Sequence, residues 1–382
     1  MWFISDLHIS HQSSYIEQNE IERILSYLYR QSPDKIIFNG DIFDFARTNL
    51  IPPSYVPTSA EKKYGLNPSK ENSLLKMQMI VSSNEYFFDL LKALIQKGFK
   101  LYFVYGNHDS ELRYDLVQKC IIDRVGASLE DNIFFVFSYS DDLVYVEHGH
   151  QHDPENFIVY EAEKCPEEYS FGYLTTKYLG NFVERERELP RNDISAGEYL
   201  IWVFRHFGFK AFWFIYQYFV YSWKILTKCK ETSIFSRIKQ QKNNPVIPIM
   251  SSFILSFKRL YLMQVTLFFI FFTFLVVSII AKPSIIYIPM VLTTISLLLL
   301  FKINNKERIY DLLRKAAMRI REETQIKYIV FGHNHYSKRV DYGAYLSSLV
   351  FKESNALYIL RLKDGLLHYE KIEEEEVSYV YC

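Results

Sequence analysis

The sequence predicts an α/β fold on three observations. Five short apolar runs each stop at a cluster of Asp, Asn or His; helical patterns separate the first three runs; and short strands follow His335. In such folds ligands gather beyond the carboxyl ends of strands, so five clusters distant in sequence can meet in one pocket.

Each element has its own signal. Trp2-Phe3-Ile4 reads as a buried strand ending before Asp6 and His8. A helical pattern from Ile16 to Arg30 places Ile21, Ile24, Leu25 and Leu28 on one face. Lys35 to Phe38 forms the second strand, before Asp41, and a longer helical pattern covers residues 72–97. Leu101 to Tyr105 precedes Asn107, Leu143 to Val146 precedes His148, and Lys327 to Phe331 precedes His333 and His335. Ala344 to Phe351, Ala356 to Lys363 and Leu366 to Ile372 are then expected to form a meander completing a second sheet, with a turn at Lys363-Asp364-Gly365.

The interval from His150 to His333 breaks this pattern. Leu260 to Ala281 is 22 residues without a charge, about 33 Å as a helix, and Pro283 to Phe301 is 19, about 28 Å. Only Lys282 separates them, so the pair predicts a transmembrane hairpin, with a buried helical hairpin as the alternative. Lys258, Arg259, Lys302, Lys306 and Arg308 flank its open end, which puts the body on the cytoplasmic side. Tyr199 to Trp223 holds 13 aromatics but is interrupted by Arg205, His206 and Lys210, which suits an interfacial helix better than a span. Two crossings also return His333 and His335 to the side of Asp6 and His8, as a shared site requires. Lys224 to Lys242 is a basic patch suited to anionic lipid headgroups. The expected organisation is therefore a catalytic part at 1–155, an insertion at 156–259, the hairpin at 260–301 and the rest of the catalytic domain at 302–382.

Composition excludes several classes. With 44 basic and 44 acidic residues, the chain is neither a globally basic nucleic-acid binder nor an acidic disordered segment. Four distant cysteines with no CxxC indicate reduced thiols rather than a zinc finger or disulfide framework. The opening MWFISDLH has no features of a secretory leader.

In order, the polar clusters are Asp6-Leu7-His8, Gly40-Asp41-Ile42-Phe43-Asp44, Gly106-Asn107-His108-Asp109, His148-Gly149-His150 and Gly332-His333-Asn334-His335. Asp, Asn and His without Cys suit borderline divalent cations, and a carboxylate has two oxygens with which to bridge a pair of them. These five motifs, in this order, resemble the calcineurin-like metallophosphoesterase family. The resemblance implies a four-layer αββα sandwich, here carrying the inserted transmembrane hairpin, and a centre of two divalent ions, with manganese favoured over iron, zinc or nickel. It implies Asp6, His8, Asp41 and His335 as ligands of the first ion, and Asp41, Asn107, His148 and His333 as ligands of the second, with Asp41 as the bridge. His150 is the alternative to His148. His108 would stabilise phosphate charge or protonate the leaving oxygen, Asp109 would orient His108, and Asp44 is expected to support the ligands from behind, with direct ligation as the alternative. The resemblance covers roughly residues 1–155 and 320–372.

The segment Asn39 to Phe45 is also similar to the branch that cleaves UDP-2,3-diacylglucosamine, although that branch commonly has Arg where this chain has His108. The leading expectation is a membrane-anchored phosphoesterase acting on a lipid-linked phosphate or pyrophosphate at the cytoplasmic face. The alternatives are a phosphodiesterase for a soluble nucleotide or nucleic acid, the latter not favoured, and a noncatalytic scaffold. No ligand position is missing, which argues against the scaffold. The sequence says nothing of oligomeric state.

Overall fold

The computed structural model describes residues 1–153 except 12–13, 15, 49, 53–54, 67–68 and 127–130; residues 156, 158, 170, 173 and 177; residues 196–213 and 216; residues 305–335; and residues 345–373 except 354–355. The expected spans, 260–281 and 283–301, and the basic patch at 224–242 lie outside the described residues. Among the described residues no helix is long and apolar enough to cross a membrane.

Strands β1 (Trp2–Ile4), β2 (Lys35–Asn39), β3 (Lys100–Val104) and β4 (Ile133–Val136) run parallel in that order. Their partners in the same sheet are β9 (Phe351–Glu353), β10 (Ala356–Lys363) and β11 (Leu366–Ile372), with β10 antiparallel to β1. A second sheet runs β5 (Tyr139–Ser140), β6 (Val144–Val146), β7 (Tyr328–Phe331), β8 (Leu346–Ser347), its last three strands parallel. The expected meander is thus corrected. Only β8 joins the second sheet, while β10 and β11 extend the first. The physical reason is the open edge of β1: all three of its residues are buried, so its backbone needs a strand on the side away from β2.

The period-two alternation of these strands builds two cores. Phe3, Ile37, Val104, Val144, Val146, Val330 and Leu360 meet between the sheets. Trp2, Ile4, Ile36, Phe38, Leu101 and Phe103 point the other way, beneath a helical layer. That layer comprises α1 (Gln18–Arg30), α3 (Lys70–Ser83), α4 (Glu85–Gln96) and α5 (Asp115–Val125), with the short α2 (Ser59–Tyr64) in the connection before α3. The long helical pattern at 72–97 is two helices, interrupted at Asn84, where φ −134° and ψ 42° leave the helical region. The Asn84 amide donates to Ser10 O at 2.9 Å and Ile80 O at 2.8 Å, which ties the break to the loop after β1.

The chain divides into two compact units, one of residues 1–187 and 312–382 and one of residues 188–311. In the second, α6 (Ala196–Phe207) ends at a positive-φ Gly208. Beyond that turn Phe209, Phe212, Trp213 and Tyr216 are exposed while Ala211 is buried. Helix α7 (Asn305–Thr324) buries Leu313, Ala317 and Ile320, all within the first unit. A Cβ on Gly149 would stand 3.0 Å from Leu313 Cδ2 and 3.5 Å from Phe331, so α7 packs where the second sheet meets the loop after β6.

Candidate metal centre

Every site motif leaves the C-terminal end of a parallel strand: β1, β2 and β3 in the first sheet, β6 and β7 in the second. The ends are tied together by the backbone. Ser5 N donates to Ser348 O at 3.0 Å and Ser348 N to Phe331 O at 2.8 Å, which joins β1 to the second sheet. Asn39, at the end of β2, donates through its side chain to Glu147 O and to Ser348 Oγ.

Four of the candidate ligands stand in the left-handed region: Asp6 (φ 59°), His8 (49°), Asp41 (52°) and His333 (64°). Non-glycine residues there cost about 1–3 kcal/mol each and persist only where surrounding contacts hold them. Those contacts are present. Asp6 N donates to Gly40 O at 3.1 Å, His8 N to Asp41 O at 2.9 Å, and His333 N to Asp6 Oδ1 at 3.2 Å. Close packing also explains a glycine: a Cβ on Gly106 would lie 2.2 Å from Asp41 Oδ1 and 2.4 Å from Asp41 N.

Among the described residues three groups of side chains, buried apart from the half-buried His335 and the slightly exposed His108, could hold a metal ion: Asp6, His8 and His335; Asp41, His148 and His333; and His8, Asp44 and His108. Two ligands about 2.1 Å from one ion at 90–110° lie about 3.0–3.4 Å apart. Asp41 Oδ2 and His148 Nε2 are 3.1 Å apart, His8 Nε2 and His335 Nε2 3.4 Å, and His335 Nε2 and Asp6 Oδ1 3.6 Å. His148 Nδ1 donates to Asn39 O at 2.8 Å, leaving Nε2 as the nitrogen to offer an ion its lone pair. Asn107 Oδ1 is buried and accepts no hydrogen bond among the described residues. A buried amide oxygen without a donor is costly unless a cation takes that place. The donor set therefore fits divalent ions.

Electrostatics agree. Burial acts to raise the pKa of Asp41, but the positive charges of His148 and His108 override it and hold the carboxyl well below the usual range. In the metal-free site burial acts to lower His148 and Asp41 reverses it, to about 10, so Nε2 there carries a proton that an ion would displace. Burial brings His335 down to about 4, so it is a neutral imidazole at pH 7. His150 is also held low, by burial and by His148 and His333. Its ring lies 5.5 Å from that of His148, and His150 belongs to none of the three groups.

The role expected of Asp109 is corrected. Its carboxylate accepts from Gly106 N at 2.7 Å, Ile42 N at 2.8 Å and Phe43 N at 3.3 Å, so it ties the loops after β2 and β3 together. Enclosed by backbone and facing Asp41, it is raised to about 7, by burial first and by Asp41 second. The carboxylate beside His108 is Asp44, whose Oδ2 lies 3.3 Å from Nδ1. Despite the opposing effect of burial, Asp44 and Asp41 raise His108 to about 9.

Sequence reasoning missed four further residues. Asp153 receives His333 Nε2 at 2.9 Å, and Asn156 links Asp153 to Asn107. Lys76, fully buried on α3, donates to Phe45 O at 2.8 Å, beside Asp44. Glu111, also fully buried, accepts from Tyr173 Oη at 2.5 Å. Lys76 and Glu111 carried no motif, but the Asp and Asn of His152-Asp153-Pro154-Glu155-Asn156, so close to His148, were a signal that could have been followed.

The family model for calcineurin-like phosphoesterases matches residues 1–231. This chain belongs to that family. It is a metal-dependent phosphoester hydrolase acting on phosphorylated substrates, and its His and Asp groups fit the two divalent ions of the family. The match runs past His150 into the insertion and ends before the fifth motif, Gly332 to His335. No curated protein matches the chain.

Proposed function

We propose that this phosphoesterase is held at a membrane surface and hydrolyses a phosphate ester or pyrophosphate bond of a lipid-linked substrate, with two divalent ions, manganese foremost. The observation that carries the membrane reading is the pair of uncharged stretches, Leu260 to Ala281 and Pro283 to Phe301, with basic residues at their open end. The exposed aromatics Phe209, Phe212, Trp213 and Tyr216 beside Lys210 support it, since amphipathic rings with a nearby cation favour the headgroup region. On the same reading the catalytic domain is cytoplasmic.

For the chemistry, Asp6, His8, Asp41 and His335 hold the first ion, and Asp41, Asn107, His148 and His333 the second. Two such ions activate water at neutral pH and offset charge on the phosphoryl oxygens. The protein's own part falls mainly to His108. Its side chain is 12% exposed while Asp44 and Asp41 are fully buried, so it faces the side from which substrate arrives. Nδ1 is turned to Asp44, which leaves Nε2 to donate a proton to the leaving oxygen. Asp109 keeps the Asp41 and His108 loops in register.

The test is to replace residues 260–301 by a flexible linker and assay the protein with manganese on an aryl phosphodiester in solution and a lipid pyrophosphate in vesicles. Release from membranes, with activity lost mainly on the lipid, is the expected result. Equal retention on both substrates would favour a soluble substrate such as a nucleotide. A full-length protein inactive on every phosphoester tried would revive the scaffold reading.

A further inference from the structure

Two of the candidate ligands, His333 and Asn107, come from different sheets, and each has a choice of orientation that metal binding must resolve. An imidazole can carry its proton on either nitrogen, and an amide can present either its oxygen or its NH2. Both choices are settled here by one chain of hydrogen bonds. His333 Nε2 lies 2.9 Å from Asp153 Oδ2, and Asn156 Nδ2 donates to that same oxygen at 2.7 Å. Asn107 Nδ2 in turn donates to Asn156 Oδ1 at 3.1 Å. Asp153 and His333 are buried, and Asn156 is half-buried at the rim.

Polarity runs along this chain in one direction, and Asp153 sets it. A carboxylate only accepts, so His333 must carry its proton on Nε2, which leaves Nδ1 with the lone pair a cation needs. By the same logic Asn156 must turn its NH2 to Asp153 and its oxygen to Asn107. Asn107 must then spend its NH2 on Asn156, which leaves Asn107 Oδ1 for the ion; that oxygen is the buried acceptor without a donor. Reversing either amide would set oxygen against oxygen or NH2 against NH2.

We propose that Asp153 is a positioning residue of the second ion: through His333 directly, and through Asn156 to Asn107, it selects the ligand atoms on both sides of that ion. The proposal rests on the two-ion reading above. It adds a residue outside the five motifs, brought to His333 from 180 positions away in the chain. Among the described residues the side-chain links His333–Asp153–Asn156–Asn107 include no side chain of Asp6, His8 or His335, although His333 N donates to Asp6 Oδ1, so the larger effect is expected at the second ion.

The experiment is calorimetric titration of the metal-stripped full-length protein in detergent with Mn2+, for the wild type, Asp153→Asn and Asn156→Ala, alongside the thermal midpoint of each metal-free protein. Asp153→Asn keeps the shape but removes the charge, and its amide no longer fixes an acceptor at the Oδ2 position that His333 Nε2 and Asn156 Nδ2 share. The second ion of this variant is expected to bind roughly 10- to 100-fold more weakly, with the first ion's affinity changed less. The exchange-coupled Mn2+ pair signal in electron paramagnetic resonance should fade at ion concentrations that saturate the wild type. Asn156→Ala should weaken the second ion less, because His333 keeps its partner, and it carries the test if Asp153→Asn does not fold. Two ions bound at wild-type affinity by the folded Asp153→Asn protein, or by Asn156→Ala where that variant stands in for it, would overturn the proposal and leave the two-ion reading intact. A wild type that binds fewer than two ions would overturn that reading and the proposal with it.

Discussion

The Asp44 carboxylate lies 3.3 Å from His108 Nδ1. The same oxygen is 3.4 Å from His8 Nδ1, so one buried carboxylate serves a candidate metal ligand and the candidate acid together. Asp44 is itself fixed: its Oδ1 accepts from Arg47 N at 2.9 Å, and its carbonyl accepts from Thr48 Oγ1 at 2.8 Å. Asp44→Asn keeps the shape and removes the charge. It should lower kcat roughly 10²-fold or more, in the range of general acid–base effects, while both ions remain bound. Steady-state kinetics beside metal analysis checks this; a mutant with wild-type kcat would remove Asp44 from the reaction.

His108 also predicts a pH dependence. In the metal-free site its pKa is raised to about 9; bound cations oppose the protonated form, so kcat/KM of the metal-loaded enzyme should fall with rising pH along a limb that lies below about 9. Asp44 supplies the largest of the charges that raise it, so Asp44→Asn should move that limb to lower pH. The linkage has a matching sign. A histidine raised above its unfolded value of about 6.5 contributes stability fully present below that pH and lost as pH rises through the folded value. The stability difference between metal-free wild type and His108→Gln should therefore shrink between pH 6.5 and about 9, as urea denaturation would show; a constant difference would contradict it.

Asp41→Asn tests the bridge. Asp41 Oδ1 accepts from His108 N at 2.8 Å while Oδ2 faces His148 at 3.1 Å. An amide can keep the first contact but sets an NH2 or a neutral oxygen where the carboxylate would reach both ions. Activity should drop by about 10³-fold or more and bound metal should fall below two per chain. Two ions retained with wild-type turnover would rule out the bridging role.

Gly106→Ala tests the packing of the loops. The added methyl would overlap Asp41 Oδ1 at 2.2 Å and Asp41 N at 2.4 Å and would approach Asp109 Oδ1 at 2.9 Å. Asp41 N is backbone, and the two carboxylate oxygens are held by the amides of His108 and Gly106, so the cost should be about 1–3 kcal/mol or more, with metal affinity lowered as Asp41 shifts. Denaturant midpoints and metal content measured together would show it. An unperturbed variant would mean that the loops after β2 and β3 yield more easily than their hydrogen bonds to Asp109 imply.

By itself the sequence determined the identity and order of the candidate ligands and their place after strands. Strand burial and Gly–Asp or Gly–His turns are written within a few consecutive residues, so Asp6, Asp41, Asn107, His148 and His333 could be read locally. Only the tertiary structure decided which groups serve one another. Asp44 rather than Asp109 stands beside His108, because the loop after β2 folds back on His8 while Asp109 is enclosed by the amides of Gly106, Ile42 and Phe43. Asp153 meets His333, and β10 rather than a second-sheet strand covers β1. The left-handed backbone at Asp6, His8, Asp41 and His333 was equally hidden. Each of these depends on bonds between segments far apart in the chain, where torsion angles and packing select one partner from several of the same chemical type, and no local pattern distinguishes between them.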